Sequence, residues 1–183
     1  MRASMHEEPI GLANIARHYL RDLIYGANDG IITTFAVVAG VTGGSLSSRA
    51  VLIVGLANLL GDGMSMGVGN YLSIRSHEAL REAQGLPEEE ARPARHGGAT
   101  LAAFVCAGAL PLLPYIRGGP VAELFLPALI LTLGALFVVG AMRAAITSMR
   151  WWPAGLEMLG LGAVVAAVAY GAGAAAAWML GSG

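Results

Sequence analysis

Residues 58–73 read NLLGDGMSMGVGNYLS, and Asn58, Asp62, Met66 and Asn70 place donor atoms at every fourth position of that run. A spacing of four keeps side chains on one face of a helix, drifting by about 40° per step. Carboxylate and amide oxygens suit hard divalent ions, while a thioether adds preference for softer transition metals. A line of such donors reads as weak sites for divalent iron or manganese, and weak sites in series are what a conduction path requires. A second acid, Asp29, stands in an earlier apolar run beside Asn28, Thr33 and Thr34. The threonine hydroxyls can bond back to the helix or line a wet path. The triplet Asn28-Asp29-Gly30 also admits a local helix distortion, with Asp29 satisfying freed backbone groups.

An acid deep in lipid is costly unless it faces a cavity, a partner or an ion, which makes Asp29 and Asp62 functional candidates. Asp22, Glu123 and Glu157 lie near the ends of apolar runs, where solvent or a helix dipole accounts for them. Met64, Met142, Met149, Met158 and Met179 fall outside the register of the stripe and read as packing residues.

The elements that must position these groups are membrane helices. The 183 residues are 56% hydrophobic and 13% charged, outside the balance of ordinary soluble domains. A bilayer core of about 30 Å needs roughly 20 apolar residues as helix, and five stretches qualify, at about 24–44, 51–73, 98–116, 121–142 and 156–180. The reading is an all-α polytopic membrane protein, with residues 1–22 as an amphipathic N-terminal segment and 23–183 as a five-span domain. In that N-terminal segment Leu12, Ile15, Ala16, Tyr19, Leu20 and Leu23 keep a helical period, predicting a helix on the inner surface. It lacks the uninterrupted apolar core and cleavage site of a signal peptide, so the first span is expected to direct insertion.

Net charge is −1 and every basic residue is Arg, which leaves no footprint for nucleic acid. The single cysteine, Cys106, excludes an intrachain disulfide and a cysteine-based metal site, and reads as a small core residue. With a cytoplasmic N-terminus, Arg2, Arg17, Arg21, Arg75, Arg81, Arg92, Arg95, Arg143 and Arg150 lie inside and only Arg49 and Arg117 outside, so that orientation is expected. Small residues four apart, Gly26/Gly30, Gly63/Gly67 and Gly140/Ala144, permit close helix approach, either within one bundle or between subunits. The all-Arg, Ala- and Gly-rich composition points to a bacterial plasma (inner) membrane.

Depth along the helices predicts that Asp29, Met66 and Asn70 meet at one level near the cytoplasmic end, with Asp62 higher. The inner loop from Ser76 is expected to continue span 2 as helix to about Ala83, before Gly85 and Pro87 stop it. There His77, Glu78, Glu82 and Glu88-Glu89-Glu90 form a candidate cation entrance, although Arg75, Arg81, Arg92 and Arg95 favour a solvated, self-paired loop.

RDLIYGANDGIITTFAVVAGVTGGSLS, GLANLLGDGMSMGVGNYLS and WWPAGLEMLGLGAVVAAVAYGAG resemble the signature regions of the vacuolar iron transporter family. The resemblance implies a five-span homodimer whose first helices line a path at the two-fold axis and exchange cytosolic iron or manganese for protons. It implies pore roles for Asp29 and Met66 and a proton-coupling role for Asp29 and Asp22. Relatives often carry acids where this chain has Asn58 and Asn70, and Asp62 matches a subset with an acid just before the Ser-Met pair. The family's long cytoplasmic metal-binding insertion between spans 2 and 3 is reduced here to Ser76–Gly98, with Glu78 and Glu82 as its remnant. The expected function is therefore divalent-metal export, with the bilayer and a second copy as partners and no bound cofactor. The alternative is a scaffold or sensor that keeps the fold without transport.

Overall fold

The first apolar run carries Gly26, Gly30, Gly40 and Gly43 among β-branched residues, a pattern that lets one helix be approached closely from several sides. In the computed structural model, which describes residues 14–15, 18–90, 92–144 and 150–181, that run is α1, Leu20–Gly43. It packs against every other helix of the bundle. A Cβ on Gly26 would collide with the carbonyl of Thr100, and one on Gly30 with that of Phe104, so α1 and α3 meet backbone to backbone. At the other end Gly43 and Gly173 bring α1 equally close to α5.

The remaining elements are α2, Ser48–Ala83; α3, Pro93–Gly108; a 3-10 segment, Leu110–Arg117; α4, Val121–Arg143; and α5, Trp151–Met179. Ser47 caps α2, its hydroxyl accepting the Ala50 N–H at 3.3 Å. Pro93 opens α3 at a position where its missing N–H costs nothing. Gly118 and Gly119, at φ 69° and 130°, make the turn into α4. Phe35, Leu59, Phe104, Tyr115, Ala128 and Ala166, drawn from all six elements, form one core.

Four helices are long and apolar enough to cross a membrane, or five if α3 and the 3-10 segment count as one bent span. That agrees with the all-helical, multi-span reading, and no strand occurs among the described residues. The third span is not the single straight helix expected from the sequence. Pro111 and Pro114 cannot donate to the helical ladder, so the chain tightens after Gly108 and bends by 42°. At 36 residues α2 is about 54 Å long, well beyond a bilayer core of about 30 Å, and it carries its last turns out to Ala83.

Three expectations change. The small-residue positions Gly26, Gly30, Gly63, Gly67 and Gly140 all close contacts inside this chain, against α3 or α5. Cys106 is exposed, on the side of α3 opposite the buried Thr100, Phe104 and Gly108. Of the methionines read as packing residues only Met158 is buried; Met64, Met142 and Met179 face outward, and Met149 lies outside the described residues. The expected amphipathic N-terminal helix also lies largely outside them, as do Arg2 and Arg17. Its described end shows helical turns, with Tyr19 N–H bonded to the Ile15 carbonyl at 3.1 Å.

Candidate functional site

α1 runs unbroken through Asn28-Asp29-Gly30, so Asp29 serves no broken backbone there. Gly30 is present because α3 leaves no room for a side chain. Thr33 is committed to the helix, its hydroxyl donating to the Asp29 carbonyl at 2.8 Å. Asp29 is half-buried on the least covered face of α1, in line with exposed Tyr25 and half-buried Ile32, Thr33 and Ala36. Asp62 is exposed on α2, close enough to Asp29 for the two carboxylates to interact electrostatically. Asn28 Oδ1 on α1 and Asn58 Nδ2 on α2 are buried without a hydrogen-bond partner among the described residues, as is Thr34 Oγ1. Buried polar atoms are seldom left this way, so orphaned amide atoms accompany the acid pair on both helices.

The register differs from the one depth predicts. Asn70 donates to Asp22 Oδ1 at 2.9 Å and to Thr100 Oγ1 at 2.8 Å, tying α2 to the first turn of α1. Seven residues along each antiparallel helix from that tie bring Asp29 opposite Gly63, beside Asp62, rather than level with Met66 and Asn70. Met66 falls about one turn nearer the loop end and packs against the hydrophobic core. Asn58 lies a turn beyond Asp62 in the other direction. The depth estimate assumed that both helices start at the same membrane boundary, whereas this tie sets their offset.

Asp22 is not solvated: it is 4% exposed and sits in a second polar assembly at the loop end. Its Oδ2 lies 2.6 Å from His96 Nδ1, on a ring 3% exposed. The other ring nitrogen, Nε2, is 3.0 Å from Glu90 Oε2, and His18 Nε2 is 3.5 Å from the same oxygen. The His18, Glu90 and His96 donor atoms all lie within 4.8 Å of one another. Tyr19 packs against both imidazoles, with ring centroids 4.8 and 4.7 Å away.

The loop is folded to deliver Glu90. Both Glu78 oxygens accept backbone N–H groups, from Glu89 at 3.1 Å and Glu90 at 3.0 Å. Arg81 donates to the Pro87 carbonyl at 2.9 Å and pairs with Glu89 at 3.1 Å. Among the candidate entrance residues, Glu78 is thus an anchor of the loop, His77 lies 3.6 Å from Glu89, and Glu82 is exposed. Sequence reasoning passed over His18, Glu90 as a single position, and His96. Each sits in a charged stretch that looks solvent-facing, and the one sequence signal is the helical spacing of His18 and Asp22.

The family model for the VIT family matches residues 20–90 and 77–174. Over 76 residues the chain is 45% identical to the vacuolar iron transporter of Toxoplasma gondii, covering 42% of this chain and 25% of that protein. Vacuolar iron transporter 1 of Arabidopsis thaliana is 26% identical over 212 aligned positions that take in 85% of each protein. Vacuolar iron transporter 2 of Oryza sativa subsp. japonica is 26% identical over 213 positions, covering 85% of this chain and 87% of its own. The matched residues take in the acid pair, Asp22, Glu90 and His96, and all of the helices but the last turn of α5, and the chain is an integral membrane protein that belongs to the VIT family.

Proposed function

We propose that the protein exports a divalent transition metal, iron or manganese, from the cytosol in exchange for protons, as a homodimer. Its family is one of transporters, and the relatives named above are iron transporters. The observation that carries the reading is the Asn70 to Asp22 tie, whose helix offset brings two acids of membrane helices, Asp29 and Asp62, to one level. From Asp22 to Ile74 the only basic residue is Arg49, at the far end of α2, and neither acid has an ion-pair partner among the described residues. A divalent ion between the carboxylates neutralises them, and so do two protons. Exchange of one for the other keeps the pair neutral in both states, which is the electrostatic basis for antiport.

In this reading metal enters from the loop side, passes the Met66 thioether about one turn below the pair, and leaves along Asn58. Asn70 holds the α1–α2 offset through Asp22 and Thr100 and is not itself a ligand. Asp62 is exposed in the single chain, and an acid at that depth is too costly to leave against lipid. A second copy covering the open α1–α2 face would supply the missing wall of the path. The Arg distribution supports a cytoplasmic N-terminus and loop.

Proteoliposome flux of divalent iron and manganese with an internal pH dye tests the proposal. Metal uptake should alkalinise the lumen in step with flux, because protons leave as metal enters, and Asp29→Asn and Asp62→Asn should each abolish both signals. Wild-type flux in both variants, or no flux in the unmodified protein, rejects the reading.

A further inference from the structure

We infer that His18, Glu90 and His96 form a binding site for one divalent transition-metal ion at the loop end of the bundle, separate from the acid pair. Three donors of the right chemistry converge there: two imidazole nitrogens and a carboxylate oxygen, the set that takes zinc, ferrous iron or cobalt in preference to magnesium or calcium. Metal–ligand bonds of about 2.1 Å place neighbouring donors about 3.0–3.4 Å apart in tetrahedral or octahedral shells. The two separations that involve Glu90 Oε2, 3.0 and 3.5 Å, already match, and the remaining pair lies within 4.8 Å. Closure needs rotation of His18, whose side chain is 22% exposed, and no movement of the buried His96.

The surroundings are those of a metal ligand. His96 turns Nδ1 to Asp22 at 2.6 Å, which orients the ring and leaves Nε2 aimed at Glu90. A carboxylate holding the far nitrogen of a ligating imidazole is the usual outer-shell arrangement, and it raises the basicity of the ligating atom. Asp22 is itself fixed by the Asn70 amide, and Glu90 by the two backbone bonds that Glu78 accepts. Two carboxylates and two neutral imidazoles carry a charge of −2, which one divalent ion cancels. A surface loop that merely solvates its charges has no use for a 3% exposed imidazole between two acids.

The site stands independently of the transport reading, because it is measured by binding without flux. Untagged full-length protein in detergent, carrying Asp29→Asn and Asp62→Asn so that the acid pair does not contribute, is titrated with cobalt. Ligand-field absorption and imidazole nitrogen couplings report the donors. One cobalt per chain with imidazole coupling is expected, displaced by zinc and not by millimolar magnesium. His18→Gln and Glu90→Gln, both partly exposed positions that leave the buried core intact, should each weaken binding at least about 100-fold, and Asp22→Asn about 10–100-fold. Wild-type cobalt affinity in both His18→Gln and Glu90→Gln, binding without imidazole coupling, or equal displacement by magnesium overturns the assignment. Loss of flux with this site intact would count against the export proposal alone.

Discussion

The two polar regions of this bundle treat their carboxylates in opposite ways. At the loop end Asp22 is buried and fully partnered, by His96 and Asn70. Further along the same two helices, Asp29 and Asp62 lie within reach of each other's charge, without an ion-pair partner among the described residues, and unpaired buried amide atoms of Asn28 and Asn58 stand on those helices. The first arrangement sets structure: a satisfied buried network fixes one offset of α1 against α2 and α3. The second leaves the chain electrostatically unfinished, the condition expected where an ion or protons complete the site. The difference teaches that the same residue type, seven positions apart on one helix, serves architecture at one place and, in the export proposal, cargo at the other.

Neutralising the mid-membrane pair should have the largest effect. Asp29→Asn or Asp62→Asn is expected to cut metal flux at least about 100-fold, corresponding to about 2.7 kcal/mol of lost ion stabilisation. The same Asp29→Asn protein should resist unfolding in an SDS titration as well as the parent does or better, since it loses an uncompensated charge.

Asp22→Asn reverses that pattern. Removing the anion from a buried, hydrogen-bonded pair costs about 3–5 kcal/mol in comparable settings, so the SDS midpoint should fall sharply. A fall in stability for Asp29→Asn equal to that for Asp22→Asn would erase the distinction between the two regions. Gly30→Ala probes the frame that both regions share. Its Cβ would meet the Phe104 backbone, so a loss of about 1–3 kcal/mol is expected in the same titration. Smallest of all is Glu157→Gln, which breaks the exposed ion pair with Arg143. That change should move the midpoint by less than about 1 kcal/mol.

Much of the architecture was legible beforehand because lipid imposes strong rules. Apolar runs of about 20 residues must be helices, and Gly85 with Pro87 marks the end of α2. The bend after Gly108 was also readable, since Pro111 and Pro114 stand in the third span, but hydropathy alone does not see the backbone N–H groups they remove. Asp29 and Asp62 were identifiable one at a time, because an acid in an apolar run is conspicuous. Their mutual level was not. It depends on an offset of two antiparallel helices that the Asn70 to Asp22 hydrogen bond decides, across 48 residues of chain.

By itself, then, the sequence determined the class of solvent this protein lives in, its helices, and the acids that lipid cannot tolerate unaided. All of these follow from local composition and period. Tertiary structure alone decided that the glycine pairs close helix–helix contacts within the chain, and that Asp29 stands beside Asp62. It also decided that His18, Glu90 and His96 converge on one point. Those outcomes come from backbone approach and hydrogen-bond satisfaction between distant segments, which no local pattern encodes.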